Sequence, residues 1–381
     1  MKRIPYGKHH ITDEDITAVV ETLRSDFLTQ GPKVQEFEEK FAQYVGAKYA
    51  VAVSSGTAAL HLSALALGVR QGQKVITSPI TFVASANCVR YCGGEVIFCD
   101  VNPETILIDV EKVEAIVKGN PQVSGIIPVN FAGYPVDLCE LRKVADKYGM
   151  WILEDACHSL GGYFVDGNNI KHYCGDGSLA DLAIFSFHPV KHIATGEGGM
   201  ITTNRKDLYE KLLMLRTHGI TRNAELFTEN HGGWYYEMHD LGFNYRLTDL
   251  QAALGISQLS RAEEWLRRRR EIAQRYNEAF SGSYVKIIYP KENVYHAYHL
   301  YVIQVENRLE LYNYLRSKNI FSQVHYIPVH LMPYYRRLGW KKGDFPNAEG
   351  YYERCLSLPM YPTLSDEEQE FVIKTVLEFQ K

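Results

Sequence analysis

Seven short apolar runs, mostly separated by segments of helical periodicity, constrain this chain more than any other feature of its sequence. They occupy residues 49–53, 74–77, 95–99, 124–130, 151–154, 181–186 and 199–203. Runs this short and this continuously apolar are strands covered on both faces, and helices between them make successive strands parallel. The expectation is an α/β fold whose large domain holds a mostly parallel seven-stranded sheet. Ahead of the sheet, Thr12-x-x-Asp15 resembles a capping box, with Ile16, Val19, Val20 and Leu23 as the stripe of the helix it opens. A loop at Gly31-Pro32 leads to a second amphipathic helix through Val34, Phe37 and Phe41.

Past residue 203 the pattern changes. A long helical region starts at Thr248-x-x-Gln251 and runs to Phe280. An apolar run at 298–305, a helix at 309–317, a further run at 320–324 and a closing helix capped by Ser365-x-x-Glu368 then read as a smaller α+β unit. The 381 residues exceed what one compact core supports. We expect a large domain over residues 1–250 and a small carboxy-terminal domain over 251–381.

Composition removes several classes of function. Hydrophobic residues make up 46% and charged residues 23%, an ordinary soluble profile, and the net charge of −4 supplies no field for nucleic acid. The one basic run, Arg267 through Arg270, lies among Glu263, Glu264 and Glu271 and reads as a solvated helix face. The seven cysteines (88, 92, 99, 139, 157, 174 and 355) form no C-x-x-C pair, which suits reduced thiols in the cytoplasm. The opening Met1-Lys2-Arg3-Ile4-Pro5-Tyr6-Gly7 leads into no apolar leader, and nowhere do eighteen apolar residues run together, so neither secretion nor a membrane span is expected. His9-His10 has no ligand spacing and H-E-x-x-H is absent, so no metal site is expected. No G-x-G-x-x-G follows the first strand, which argues against a nicotinamide-dependent oxidoreductase.

Three polar clusters fall at the carboxyl ends of expected strands, where open α/β sheets bind ligands. Ser54-Ser55-Gly56-Thr57-Ala58-Ala59 joins a strand to a helix; it reads equally as a phosphate cradle or as a plain helix cap. Glu154-Asp155-Ala156-Cys157-His158 puts acidic residues at the end of a buried strand, where they must be paired or hydrogen-bonded. Asp155 could cap a helix there, or hold a heterocycle in its protonated form. The third cluster, Phe185-Ser186-Phe187-His188-Pro189-Val190-Lys191-His192, carries a lysine in apolar surroundings. Desolvation would make its amine a nucleophile and base, unless the side chain simply reaches to water. Together the three supply the parts that pyridoxal phosphate needs.

Their order and spacing carry a family resemblance. Ser55-Gly56-Thr57-Ala58-Ala59-Leu60, Thr81-Phe82, Glu154-Asp155-Ala156, Ser186-Phe187-His188-Pro189-Val190-Lys191 and Glu197-Gly198-Gly199 resemble the DegT/StrS sugar aminotransferase family. Gly242-Phe243-Asn244-Tyr245-Arg246-Leu247-Thr248-Asp249-Leu250-Gln251-Ala252-Ala253-Leu254-Gly255 is similar to that family's second signature, so the match spans nearly the whole chain. The resemblance implies the fold type I of pyridoxal-phosphate transferases, aspartate-aminotransferase-like. It also implies a homodimer with shared active sites. Pyridoxal 5′-phosphate would be the cofactor, with Lys191 as its Schiff-base lysine and proton shuttle and Asp155 on its ring nitrogen. Gly56, Thr57 and the hydroxyl of Ser186 would bind its phosphate, Ser55 would belong to the same cofactor site, Phe82 would stack on its ring, and Asn244 would reach the phosphate from the partner subunit.

One position departs from the family. Where most members have Gln near the cofactor's phenolic oxygen, this chain has His158, as is common in the branch that makes the precursor of pseudaminic acid. Tyr6, the segment Phe27-Leu28-Thr29-Gln30-Gly31 and Gln323-Val324-His325-Tyr326 resemble the same branch, and Tyr6, Asp26, Phe27, Leu28, Thr29, Gln323, Val324, His325 and Tyr326 would line a sugar-nucleotide site. Ordinary packing is the competing reading for the two tyrosines. The implied substrates are L-glutamate, leaving as 2-oxoglutarate, and a UDP-linked 2-acetamido-2,6-dideoxy-hexos-4-ulose. Amination of its 4-keto group gives UDP-4-amino-4,6-dideoxy-N-acetyl-β-L-altrosamine, with ping-pong kinetics. Alternatives are another 4-keto or 3-keto nucleotide sugar, dTDP- or GDP-linked. A sugar dehydratase would carry His in place of Lys191, and a non-catalytic regulator would lose the lysine or add a DNA-binding segment.

Overall fold

In the computed structural model the seven apolar runs form one sheet. The structure describes residues 3–379; Met1 and Lys2, part of the amino-terminal reading, lie outside the described residues. The strands are β1 (Tyr49–Val53), β2 (Lys74–Thr77), β3 (Glu95–Phe98), β4 (Val123–Ile127), β5 (Trp151–Asp155), β6 (Leu182–Ser186) and β7 (Gly199–Thr203). Their order across the sheet is β1-β7-β6-β5-β4-β2-β3. All are parallel except β7, which runs antiparallel to β1 and β6. Helices α1 (Asp13–Leu23) and α2 (Pro32–Val45) precede the sheet. Helices α3 (Gly56–Ala66), α4 (Ala84–Tyr91), α5 (Val110–Gly119) and α6 (Leu138–Tyr148) connect its strands, and α7 (Lys206–Arg216) follows β7.

The topology creates one chemical edge. Parallel β1, β5 and β6 all end there, and β7, running the other way, begins there with Gly199 between Val53 and Ser186. A side chain on Gly199 would fall 2.5 Å from the carbonyl oxygen of Ser55, so only glycine lets the strand start this close to the helix that follows β1. Helices on both faces explain the missing in–out alternation: β7 is buried throughout, and β1, β5 and β6 are buried at all but one residue each.

Four details differ from expectation. The long helical region is two helices, α8 (Asp249–Leu259) and α9 (Ala262–Phe280). The break at Ser260-Arg261 turns the Arg261 guanidinium onto Asp15, a fully buried carboxylate that also accepts from Gln258 Nε2 at 2.7 Å. That buried pair decides which face of α1 meets α8, so Ile16 and Leu23 of the expected stripe stand 54% exposed. The basic run is not a solvated face, because α9 turns its Trp265, Leu266, Arg269, Ile272 and Tyr276 side inward. Arg269 is buried and donates to the carbonyl oxygens of Tyr298, His299 and Met360. Finally, Asp155 caps no helix: it closes β5 beside Ile184.

The reciprocal capping boxes at Thr12/Asp15, Thr248/Gln251 and Ser365/Glu368 are all formed. The inward face of α9 packs on a second core built with the antiparallel strands Lys286–Ile287, Tyr301–Gln304 and Cys355–Leu358 and the closing helix Asp366–Glu378.

Candidate active site

The edge where β1, β5 and β6 end opens on a cavity of about 400 Å³, within the range of small-molecule sites. Ser55, Gly56, Thr57, Phe82, Asp155, His158, Ser186 and Lys191 all line it, as do Tyr6, His325 and Tyr326.

The turn after β1 passes straight into α3. Ser55 is its N-cap, and its Oγ accepts the N–H of Ala58 at 3.1 Å. The hydroxyl of Ser55 is therefore spent on the cap, while the N–H groups of Gly56 and Thr57 remain as open donors at the positive end of the helix. Across from them, Ser186 Oγ accepts the N–H of His188 at 3.4 Å and keeps its own hydrogen to donate. A Cβ on Gly56 would lie 2.9 Å from Ser186 Cβ, so the glycine is what allows the two walls to approach. These donors fit a phosphate.

At the end of β5, the strand's period of two sends adjacent carboxylates to opposite faces. Glu154 turns inward, where Asn130 Nδ2 (2.7 Å) and the N–H of Gly175 (2.9 Å) donate to it, and burial raises its pKa to about 7. Asp155 turns into the cavity. Its Oδ2 accepts from Ser85 Oγ at 2.7 Å and its Oδ1 from the N–H of Cys157 at 3.2 Å. Among the described residues it is buried without an ion-pair partner.

Lys191 reaches the cavity from the loop after β6. Burial pulls its pKa below the ordinary lysine value, only partly countered by Cys157 and Asp155. Its Nζ lies 3.5 Å from His299 Nε2. His299 sits against His158, ring centroids 4.3 Å apart, and both imidazoles are held well below their ordinary pKa, first by burial and then by Lys191. His158 Nδ1 accepts the N–H of Ala132 at 3.2 Å, so the neutral ring carries its proton on Nε2, which donates to the Tyr326 hydroxyl at 3.3 Å. Tyr6 packs on His325 at 5.1 Å, and His325 Nδ1 bonds Ser357 Oγ at 2.8 Å. Phe82 stands 58% exposed at the mouth, an apolar ring face open for stacking.

The other expected residues lie elsewhere. Asp26, Phe27, Leu28, Thr29, Asn244 and Gln323 are exposed and Val324 is partly buried; none lines this chain's cavity. Segment 26–29 packs on the start of α8, where Leu28 accepts the N–H of Asp249. Ser85 and His299 are site residues that the sequence reading missed. Ser85 falls three positions after Phe82, in the first turn of α4. His299 ends His296-Ala297-Tyr298-His299, a polar cluster before an apolar run of the kind that marked the other sites.

A buried carboxylate without a cation of its own, beside an amine that burial keeps poised for nucleophilic attack, suits a protonated heterocycle carrying an aldehyde. The open helix terminus suits that heterocycle's phosphate. The fold is that of the pyridoxal-phosphate enzymes of fold type I. Residues 9–377 match the DegT/DnrJ/EryC1/StrS aminotransferase family, and the chain belongs to it. It is 42% identical to the spore coat polysaccharide biosynthesis protein SpsC of Bacillus subtilis (strain 168), over 99% of this chain and 97% of that protein. It is 36% identical to the UDP-4-amino-4,6-dideoxy-N-acetyl-beta-L-altrosamine transaminase of Campylobacter jejuni, over 98% and 96% of the two chains. Among solved structures, Streptococcus pneumoniae Spr1654 in its PLP form matches with a TM-score of 0.91 at 31% identity, covering 99% of this chain and 98% of that one. Helicobacter pylori PseC, an aminotransferase involved in the biosynthesis of pseudoaminic acid, matches at 0.89 and 30% identity, with 99% of each chain covered. The protein is a pyridoxal-phosphate-dependent sugar aminotransferase.

Proposed function

We propose that this enzyme moves the amino group of L-glutamate to the 4-keto carbon of a UDP-linked 2-acetamido-2,6-dideoxy-hexos-4-ulose, giving UDP-4-amino-4,6-dideoxy-N-acetyl-β-L-altrosamine. The observation that carries this reading is the wall built from His158, Tyr326, His325 and Tyr6 against the Lys191 side of the cavity. By the family resemblance, His158 takes the place of the Gln most members carry, and the Campylobacter relative is named for this product.

Bound in the cavity, pyridoxal phosphate supplies the aldehyde carbon and the electron sink for amine exchange. Asp155, fixed by Ser85 and the N–H of Cys157, would hold a proton on the ring nitrogen. Gly56, Thr57 and Ser186 would hold the cofactor's phosphate, and Phe82 would offer its ring face for stacking. Lys191 Nζ carries the proton that must change places when an amine is exchanged, and burial makes its neutral form accessible. The Nε2–H of His158 and the hydroxyl of Tyr326 orient oxygen atoms on the cofactor and sugar.

We also propose a homodimer in which the partner supplies Asn244 and the 26–29 segment. In support, Ile16, Leu23, Phe27 and Leu28 leave an apolar stripe exposed, and Trp234 and Leu241 are 76% and 74% exposed. The seven free thiols suit a reducing cytoplasm, and no helix among the described residues is long and apolar enough to cross a membrane.

A panel of 4-keto nucleotide sugars with glutamate as donor tests the substrate. Turnover should be fastest on the UDP-linked L-arabino 4-keto sugar. Preference for its D-xylo epimer or for a dTDP sugar would replace this reading with an aminotransferase of another sugar. Failure of glutamate to convert the cofactor to its amine form would favour a dehydratase instead.

A further inference from the structure

Away from the active-site cavity, three ligand-type side chains meet where a hairpin packs against the first turn of α6. The hairpin strands are Tyr163–Val165 and Lys171–Tyr173. Cys139 is the second residue of α6, Asp166 directly follows the first hairpin strand, and His172 is the middle residue of the second. His172 Nε2 lies 3.3 Å from Asp166 Oδ2 and 3.9 Å from Cys139 Sγ, and one ligand atom from each residue lies within 4.8 Å of the other two. Tetrahedral zinc, with bonds of about 2.0 Å to nitrogen or oxygen and about 2.3 Å to sulfur, places nitrogen and oxygen ligands about 3.3 Å apart and nitrogen and sulfur about 3.5 Å apart. The first separation is already met. The second needs the sulfur to move by a few tenths of an ångström toward the nitrogen, and the sulfur–oxygen separation, within 4.8 Å, must close to about 3.5 Å as well.

The surrounding bonds orient these atoms for an ion. Asp166 Oδ1 is occupied by the N–H groups of Asn168 (2.9 Å) and Ile170 (2.8 Å), which leaves Oδ2 for the side facing His172. His172 Nδ1 lies 3.1 Å from Ser178 Oγ, so that nitrogen can carry the ring's proton while Nε2 offers its lone pair. Ligating histidines and carboxylates are held by second hydrogen bonds of this kind. An aspartate–histidine hydrogen bond alone would account for two of the residues. It gives no reason for a thiol from another element to approach the same nitrogen.

We propose that Cys139, Asp166 and His172 form a zinc(II) site with a fourth position open to water. Binding releases the Cys139 thiol proton to solvent and moves the single proton of His172 from Nε2 to Nδ1. Thiolate and carboxylate then balance the charge of the ion, and no oxidant or reductant takes part. The site ties the hairpin to α6 and is independent of the substrate reading above. The two outer ligands, Cys139 and His172, are 33 residues apart in sequence, and no short motif marks them, which is why no metal site is expected from the sequence.

The holoenzyme, stripped of divalent ions with a chelator and titrated with cobalt(II), tests the proposal. The readout is the visible d–d bands of tetrahedral cobalt, at longer wavelength than the cofactor absorbs. One cobalt per chain with tetrahedral intensity is expected, displaced by one equivalent of zinc. C139S and H172A should each weaken zinc binding by more than about 100-fold, and S178A by about 10- to 100-fold, with cofactor content unchanged as the check on folding. Zinc should raise the melting temperature of the wild type and leave that of C139S where it was. A purely octahedral cobalt spectrum, or equal zinc binding by wild type, C139S and H172A, overturns the site.

Discussion

Gly56→Ala puts one methyl group between the helix terminus and the strand end that together form the proposed phosphate cradle. The new Cβ would sit 2.9 Å from Ser186 Cβ and 3.2 Å from Ser186 Oγ. Ser186 is the last residue of β6, paired with Gly199 of β7, so its backbone cannot retreat without disturbing the sheet. The strain must fall on the Ser186 hydroxyl, the proposed phosphate donor, or on the N–H groups of Gly56 and Thr57. Overpacking of this kind costs about 1–3 kcal/mol. Where the phosphate is bound by those same groups, that becomes a cofactor dissociation constant weakened by roughly 5- to 150-fold. Equilibrium dialysis of the apoenzyme against pyridoxal phosphate measures it directly. Gly119→Ala is the control: a Cβ there meets nothing within 4 Å and sits at the end of α5, so neither affinity nor melting temperature should fall. An unchanged cofactor affinity for Gly56→Ala, in a protein that melts normally, would show that the phosphate binds elsewhere.

Three further outcomes follow from the geometry. Ser85→Ala removes the 2.7 Å bond to Asp155 Oδ2, a charge-assisted contact of about 1.5–3 kcal/mol. It should cut kcat by roughly 10- to 100-fold while cofactor affinity changes by only a few-fold, and equal losses in both would contradict a positioning role. Glu154 has a folded-state pKa of about 7, raised above the unfolded value by burial. Its contribution to stability is therefore complete below about pH 4.5 and is lost as pH rises through about 7, on the order of 3 kcal/mol in all. Urea unfolding across that window should show the decline in wild type and not in Glu154→Gln, whereas parallel pH profiles would refute the assignment. Mixing inactive Lys191→Ala with inactive Asn244→Ala under conditions of subunit exchange should restore about a quarter of wild-type activity, because each hybrid dimer holds one intact shared site. No recovery would place Asn244 in its own subunit's site, or in none.

The sheet was legible because strands covered on both faces carry their own signal. Six of the seven runs match the strands to within one residue at each end, and β1, β2 and β7 coincide with theirs at both ends. The run at 124–130 overshoots, since Pro128 has no N–H to continue the ladder and β4 closes at Ile127. The three strand-end clusters were legible for the same reason: a parallel sheet brings its carboxyl ends to one edge, whatever lies between them in sequence. What periodicity could not show was set by tertiary partners. The break between α8 and α9 exists to bring Arg261 onto buried Asp15, and Arg269 is inside because three carbonyl oxygens receive it there. Ser85 and His299 act on residues 70 and 108 positions away, distances that no local pattern spans.

The central claim is that the amine of Lys191 condenses with pyridoxal phosphate. Borohydride reduction of the holoenzyme followed by peptide mass spectrometry tests it most directly. The account predicts a cofactor-sized mass increment on Lys191, and none when the enzyme is first converted to its amine form with glutamate. An increment on another lysine, or an unlabelled Lys191 in cofactor-loaded protein, would contradict it.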